Sequence, residues 1–118
     1  MIVFVGDKPS RLNKDPNLAF VGAKCYKRLL KWITFLDAEN YKLINSHNSD
    51  CSLAIQYLNI FPHIKFIALG KVASARLQRL DVVHYKLDHP SGLNRKLNDK
   101  QYEFDMLNKC REWLYENS

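Results

Sequence analysis

Three stretches of this chain hold side chains able to do chemistry on a bound ligand. The first is Gly6-Asp7-Lys8-Pro9-Ser10, with a carboxylate beside an ammonium group in a tight polar turn. The second is Asn45, an amide at the end of the run YKLIN. The third is Asp88-His89-Pro90-Ser91-Gly92-Leu93, with an imidazole in a proline-containing loop. A carboxylate can position a proton or a water, an imidazole can donate a hydrogen bond, and an amide both donates and accepts. Each group also has a plain structural role open to it. Asp7 can cap its turn, Asn45 can cap a strand end, and His89 can be a loop histidine before a proline. Lys8 can pair with Asp7 and lower its pKa.

The elements that would position these groups follow from apolar patterning. Ile2 to Val5 is an unbroken apolar run, as in a strand buried on both faces, and Gly6 ends it. The polar segment from Arg11 to Leu18 reads as a loop. A helix then runs to about Leu36, with Val21, Cys25, Leu29, Ile33 and Leu36 as its buried stripe. Lys24, Lys27, Arg28 and Lys31 lie on its solvated faces. Tyr41 to Asn45 is the second strand. A helix follows with Leu53, Ala54, Tyr57, Leu58 and Phe61 inward, and Pro62 stops it. Ile64 to Leu69 is the third strand, and Lys71 to Leu80 a short helix with Val72, Ala75 and Leu80 inward. Val82 to Leu87 is the fourth strand. The last helix starts near Arg95 to Asn98 and reaches Tyr115, packing through Phe104, Leu107, Cys110, Trp113 and Leu114.

Strand–helix alternation four times over predicts an α/β chain with a parallel sheet and helices on both faces. With right-handed crossovers, the expected order has the first strand central, the second on one side, and the third and fourth on the other. The loops carrying Asp7, Asn45 and His89 then meet at one edge, where open α/β sheets keep their ligand crevices.

The 118 residues suit a single domain, residues 1–118, with one core. Cys25, Cys51 and Cys110 are scattered and form no CxxC pair, which speaks against a zinc ribbon and suits a reducing, cytoplasmic setting. No signal peptide or membrane-spanning run is read, and a membrane role is not expected. The formal net charge of +6 is compatible with a polyanionic partner such as DNA. His47, His63 and His84 have no metal-ligand spacing, and there is no Walker loop or GxGxxG.

Strand-GDKPS, AFVGAKCYKRLL, IALGKVASARL and DHPSGLNR, in this order, resemble the uracil-DNA glycosylase superfamily. The similarity covers residues 2 to about 96 and is greatest to its thermophile-type iron–sulfur branch. It implies a three-layer α/β/α sandwich. The cluster cysteines of that branch are absent, so neither an iron–sulfur centre nor any other cofactor or metal is expected. By this resemblance Asp7 orients the attacking water and His89 supports the departing base. Gly6, Pro9 and Ser10 form the first substrate motif, with Ser10 where relatives exclude the thymine methyl. Phe20 stacks on the extruded base, and Asn45 reads its edge. Leu93 stands where relatives wedge the duplex, though it also suits a hydrophobic staple for the last helix. Independently of the resemblance, Lys71 and Arg95 stand at helix starts beside the site, where they can meet phosphates together with backbone N–H groups, and Ser91 is counted with them as a nucleic-acid contact.

The implied chemistry is consistent with these residue types. Breaking an N-glycosidic bond leaves positive charge on the sugar and negative charge on the base, for a carboxylate and a donor to stabilise. An Asn amide pairs with uracil O4 and N3–H, and cytosine presents the reverse pattern. The base must leave the stack to be reached. The expectation is a monomeric, cytoplasmic DNA glycosylase, in a nucleoid or a host cell, that removes uracil or a related modified pyrimidine from DNA. The alternative is a module of the same fold with lost or redirected chemistry, binding nucleic acid, a nucleotide or a protein partner. A third reading is glycosidic-bond chemistry on a free nucleoside or nucleotide.

Overall fold

The computed structural model describes residues 1–6, 26–38, 40–45, 55–56, 58, 64–90 and 95–116. Their centre is β1 (Ile2–Gly6), in which Val3, Phe4 and Val5 are fully buried. On one side it pairs in parallel with β2 (Tyr41–Asn45), with Gly6 opposite Asn45. On the other it pairs in parallel with β3 (Lys65–Leu69), which in turn pairs in parallel with β4 (His84–Leu87). The order β2-β1-β3-β4 is the expected one. All four strands point the same way, so all four carboxyl ends share one edge.

Alternation along the strands sends side chains into two separate cores. Phe4, Ile67, Leu69 and Leu87 face α1 (Tyr26–Phe35) and α3 (Lys100–Glu116), meeting Leu29, Trp32, Ile33, Leu36, Leu107, Cys110 and Leu114. Val3, Val5, Phe66 and Ala68 face the other way, toward α2 (Lys71–Arg79) and the helical residues Ile55 and Leu58. Helices therefore cover both faces of the sheet, as its wholly parallel pairing requires. Among the described residues no helix is long and apolar enough to cross a membrane.

The expected stripe of α1 is right at Leu29, Ile33 and Leu36, and the fully buried Trp32 joins it. Among the described residues, the Trp32 indole N–H has no hydrogen-bond partner. Lys27 and Lys31 are exposed as expected, and Arg28 lies 3.9 Å from Glu103. Val21, Cys25 and Lys24 lie outside the described residues.

Three expectations are corrected. The inward face of α2 is Ala73, Ser74 and Leu77, whereas Val72 is 46% exposed and Ala75 is also exposed. The helix enters directly from Gly70 and turns its second residue to solvent. The fourth strand starts at His84, because Val83 is 81% exposed and Val82 is held back in the α2 core by a backbone bond to Leu77. Phe104 is half-exposed, packing edge-on against Phe35 near the surface rather than in the core. The last helix is also preceded by a 3₁₀ turn at Arg95–Asn98, after which Asp99 Oδ1 accepts from the Gln101 and Tyr102 N–H groups and starts α3.

The revised α2 face gives a direct test. Leu77→Ala opens a cavity against β1 and β3 and should cost about 2–5 kcal/mol. Val72→Ala should stay within about 0.5 kcal/mol of the parent. Urea unfolding of the two variants checks the assignment, and the opposite ranking would restore Val72 to the core.

Candidate functional site

The edge that collects the strand carboxyl ends is built most tightly where β3 turns into α2. Gly70 stands at that turn with φ 96, a conformation L side chains rarely adopt. Its N–H donates to the Leu87 carbonyl at 2.8 Å, and its own carbonyl accepts from the Ser74 N–H at 3.2 Å. A Cβ on Gly70 would lie 3.3 Å from His89 Cβ. Glycine thus gives the turn its shape and lets the His89 side chain lie directly against it. This is the structural meaning of the Leu69-Gly70 strand end read from the sequence.

Around this contact is an open cleft of ≈ 260 Å³ lined by Gly70, Lys71, Lys86, Asp88, His89 and Lys96. Lys71 opens α2, Lys86 stands on β4, and Lys96 comes from the 3₁₀ turn. Lys86 is opposite Ala68 in the β3–β4 register, on the α2 side of the sheet. Asp88 Oδ2 accepts a 2.6 Å hydrogen bond from the Tyr102 hydroxyl. That bond, then burial and the Asp88 charge, raise the Tyr102 phenol above its ordinary pKa. The carboxylate is thereby held in one position among the cations.

A second polar contact braces the far end of the same wall. Ser74 Oγ lies 2.8 Å from His84 Nε2, and His84 Nδ1 lies 2.8 Å from the Val82 carbonyl. A carbonyl can only accept, so Nδ1 carries a proton, and in the tautomer protonated there alone Nε2 accepts from the Ser74 hydroxyl. Ser74 is buried inside the packing between α2 and the sheet. The pair therefore fastens α2 to β4. On the opposite face, burial pushes the Cys110 thiol up to about 12, which makes it a packing group rather than a nucleophile.

The site residues expected from sequence divide clearly. Lys71 and His89 are brought together in the cleft, on either side of Gly70. Gly6 and Asn45 are in register on paired strands at the same sheet edge. Arg95 is exposed on the 3₁₀ turn and does not line the cleft. Asp7, Pro9, Ser10, Phe20, Ser91 and Leu93 lie outside the described residues, as do Lys8, Cys25 and Cys51.

Lys86, Lys96, Tyr102 and Ser74 are not singled out by sequence, Asp88 enters there only as the first residue of the His89 stretch, and His84 only as lacking metal-ligand spacing. The place of Asp88 next to His89 was a usable signal. Tyr102 is 14 residues further on, and only the fold joins the two. Compared with known proteins, the chain matches no family model, no curated protein and no solved structure.

Two measurements test the edge. Gly70→Ala should cost about 1–3 kcal/mol, from left-handed backbone strain and displacement of His89, and urea unfolding reads it. Tyr102→Phe tests the carboxylate clamp through its pH dependence. A phenol whose folded pKa is raised contributes stability fully below its unfolded value near 10, and loses it as pH rises through the folded value. The stability gap between wild type and Tyr102→Phe should therefore be largest below pH 10 and shrink above it. A gap independent of pH would place the effect in packing.

Proposed function

We propose that this chain is a minimal DNA glycosylase that hydrolyses the N-glycosidic bond of uracil or a related modified pyrimidine. Its fold would be that of the uracil-DNA glycosylase superfamily, which its four sequence motifs resemble. Asp7 would position the attacking water, and His89 would stabilise negative charge on the departing base. Asn45 would read the base edge, and Phe20 would stack on the extruded ring.

The observation that supports this reading is the strand order. In β2-β1-β3-β4, the chain leaves β1 toward one side of the sheet and continues on the other through β3. Such a reversal opens a crevice outside the carboxyl ends of the two strands, where α/β sheets bind their ligands. Gly6 is the last residue of β1 at that point, and Asp7 follows it in the chain. The paired strand β2 ends with Asn45, and His89 lies against Gly70 just past β3. Three of the four motifs thus have described residues at one sheet edge. The cationic side chains around His89 suit a polyanionic substrate.

The test is an abasic-site assay on oligonucleotides of one sequence carrying uracil, 5-hydroxymethyluracil, hypoxanthine or thymine. The expected result is cleavage of the uracil or modified-pyrimidine strand. Asp7→Asn and His89→Ala should each lower the rate by about 10²–10⁴-fold. Absence of abasic sites on every substrate would overturn the enzyme reading, and retained nucleic-acid binding would then favour the binding-module alternative.

A further inference from the structure

Among the described residues, the cleft beside His89 is lined by three lysines and one carboxylate. Three lysines line it from three different stretches: Lys71 from α2, Lys86 from β4 and Lys96 from the 3₁₀ turn. Asp88 is the one carboxylate among the described lining residues, and its Oδ2 accepts from Tyr102. Neither the Lys71 nor the Lys86 ammonium has an ion-pair partner among the described residues. Gathering like charges at one place works against folding unless a ligand or a carboxylate offsets them. The α2 terminus adds to the imbalance, because it has no side-chain cap and no acidic residue in its first turn.

We infer that this cleft is a phosphate-binding subsite, in which the Lys71, Lys86 and Lys96 ammonium groups surround one phosphoryl group. A tetrahedral anion suits the place because its oxygens can meet donors arriving from separate directions. Lysine serves as a point charge for phosphate without needing planar pairing. The walls are preorganised. The Gly70 N–H bond to Leu87 ties α2 to the end of β4, and the Ser74–His84 contact ties it to the start. Asp88 limits the affinity by its own charge, and its bond to Tyr102 keeps it in a fixed position. That the phosphoryl group belongs to a polynucleotide rests on the glycosylase reading, whereas the subsite itself rests on the cleft. A free mononucleotide supplies the same chemistry.

The experiment titrates the full chain at low salt with inorganic phosphate, deoxyuridine 5′-monophosphate and a uracil-containing single-stranded oligonucleotide, following backbone amide shifts. The variants are Lys86→Gln, Lys96→Gln and Lys71→Gln. All three lysines are exposed, so their loss leaves the packed cores intact. Phosphate should move the amides of residues 71–73 and 86. Each substitution should weaken binding by about tenfold. For the oligonucleotide, the dependence of log K on log salt should flatten by about 0.7 per lysine removed. Equal affinity for mononucleotide and oligonucleotide assigns the subsite to a free nucleotide, and tighter binding of the oligonucleotide assigns it to the nucleic-acid backbone. Phosphate titration that leaves these amides unmoved, or three variants that bind as wild type does, would overturn the subsite. Lysine-dependent phosphate binding without glycosidic cleavage would leave it standing and remove the catalytic reading alone.

Discussion

The constraint on which the molecule depends is the complete burial of β1. Val3, Phe4 and Val5 contact no solvent, and they point alternately into two cores. Each such side chain contributes about 1.5–3 kcal/mol by leaving water, but only if a helix covers the face toward which it points. A central strand of this kind therefore calls for helices on both faces. Here the chain supplies that cover by returning through crossover helices, which join parallel rather than hairpin strands. Parallel pairing follows, and with it the convergence of every strand's carboxyl end on one edge. With both faces covered, the loops at that edge are the natural place for groups that must meet a ligand.

Within that edge, the contact between Gly70 and His89 sets the local geometry. A backbone at φ 96 brings the β3–α2 turn against the segment that leaves β4. The same residue uses its N–H on Leu87 and its carbonyl on Ser74, so strand end, turn and helix start are one hydrogen-bonded unit. The buried Ser74 and half-buried His84 extend the connection one turn further along α2. Charged side chains mounted on such a unit reach outward from fixed anchors, and less rotational freedom remains to be lost when a ligand arrives.

The fold was legible where the signal was local. The runs IVFVG, YKLIN and KFIAL declare themselves as strands because apolar and β-forming residues dominate them, and glycine ends the first and follows the third. Their order followed from alternation with helices and from crossover handedness. The face of α2 was misread because a nine-residue helix offers too few turns for periodicity to outweigh one valine near its start. Ser74 and His84 were passed over for a different reason. Either residue alone reads as surface, and burial becomes affordable only when each satisfies the other across α2 and β4. Lys86 and Lys96 likewise look like ordinary solvated charges, and their convergence is a property of strand register and of the turn after β4. His89, taken from its motif, stands in the cleft beside Gly70. The structural surroundings of Asp7, Phe20 and Leu93 fall outside the described residues.

The contrast between two helix starts shows what the cleft adds to this picture. At α3, Asp99 sits where the helix needs an acceptor, takes two backbone N–H groups, and brings negative charge to the positive end of the dipole. Glu103 in the first turn reinforces it. At α2 the cap is Gly70, which has no side chain to accept a hydrogen bond, and the first helical residue is Lys71. An Asp or Ser at the cap would satisfy the helix locally, but neither would suit φ 96 as well, and a Cβ there would crowd His89. The need to bring His89 close thus forbids the ordinary capping solution. It leaves a helix terminus whose donors and charge face a cleft already lined by cations. An anion entering from outside, as proposed above, would complete what the described residues at this turn do not supply, in the way other sequence–structure conflicts tend to mark functional positions.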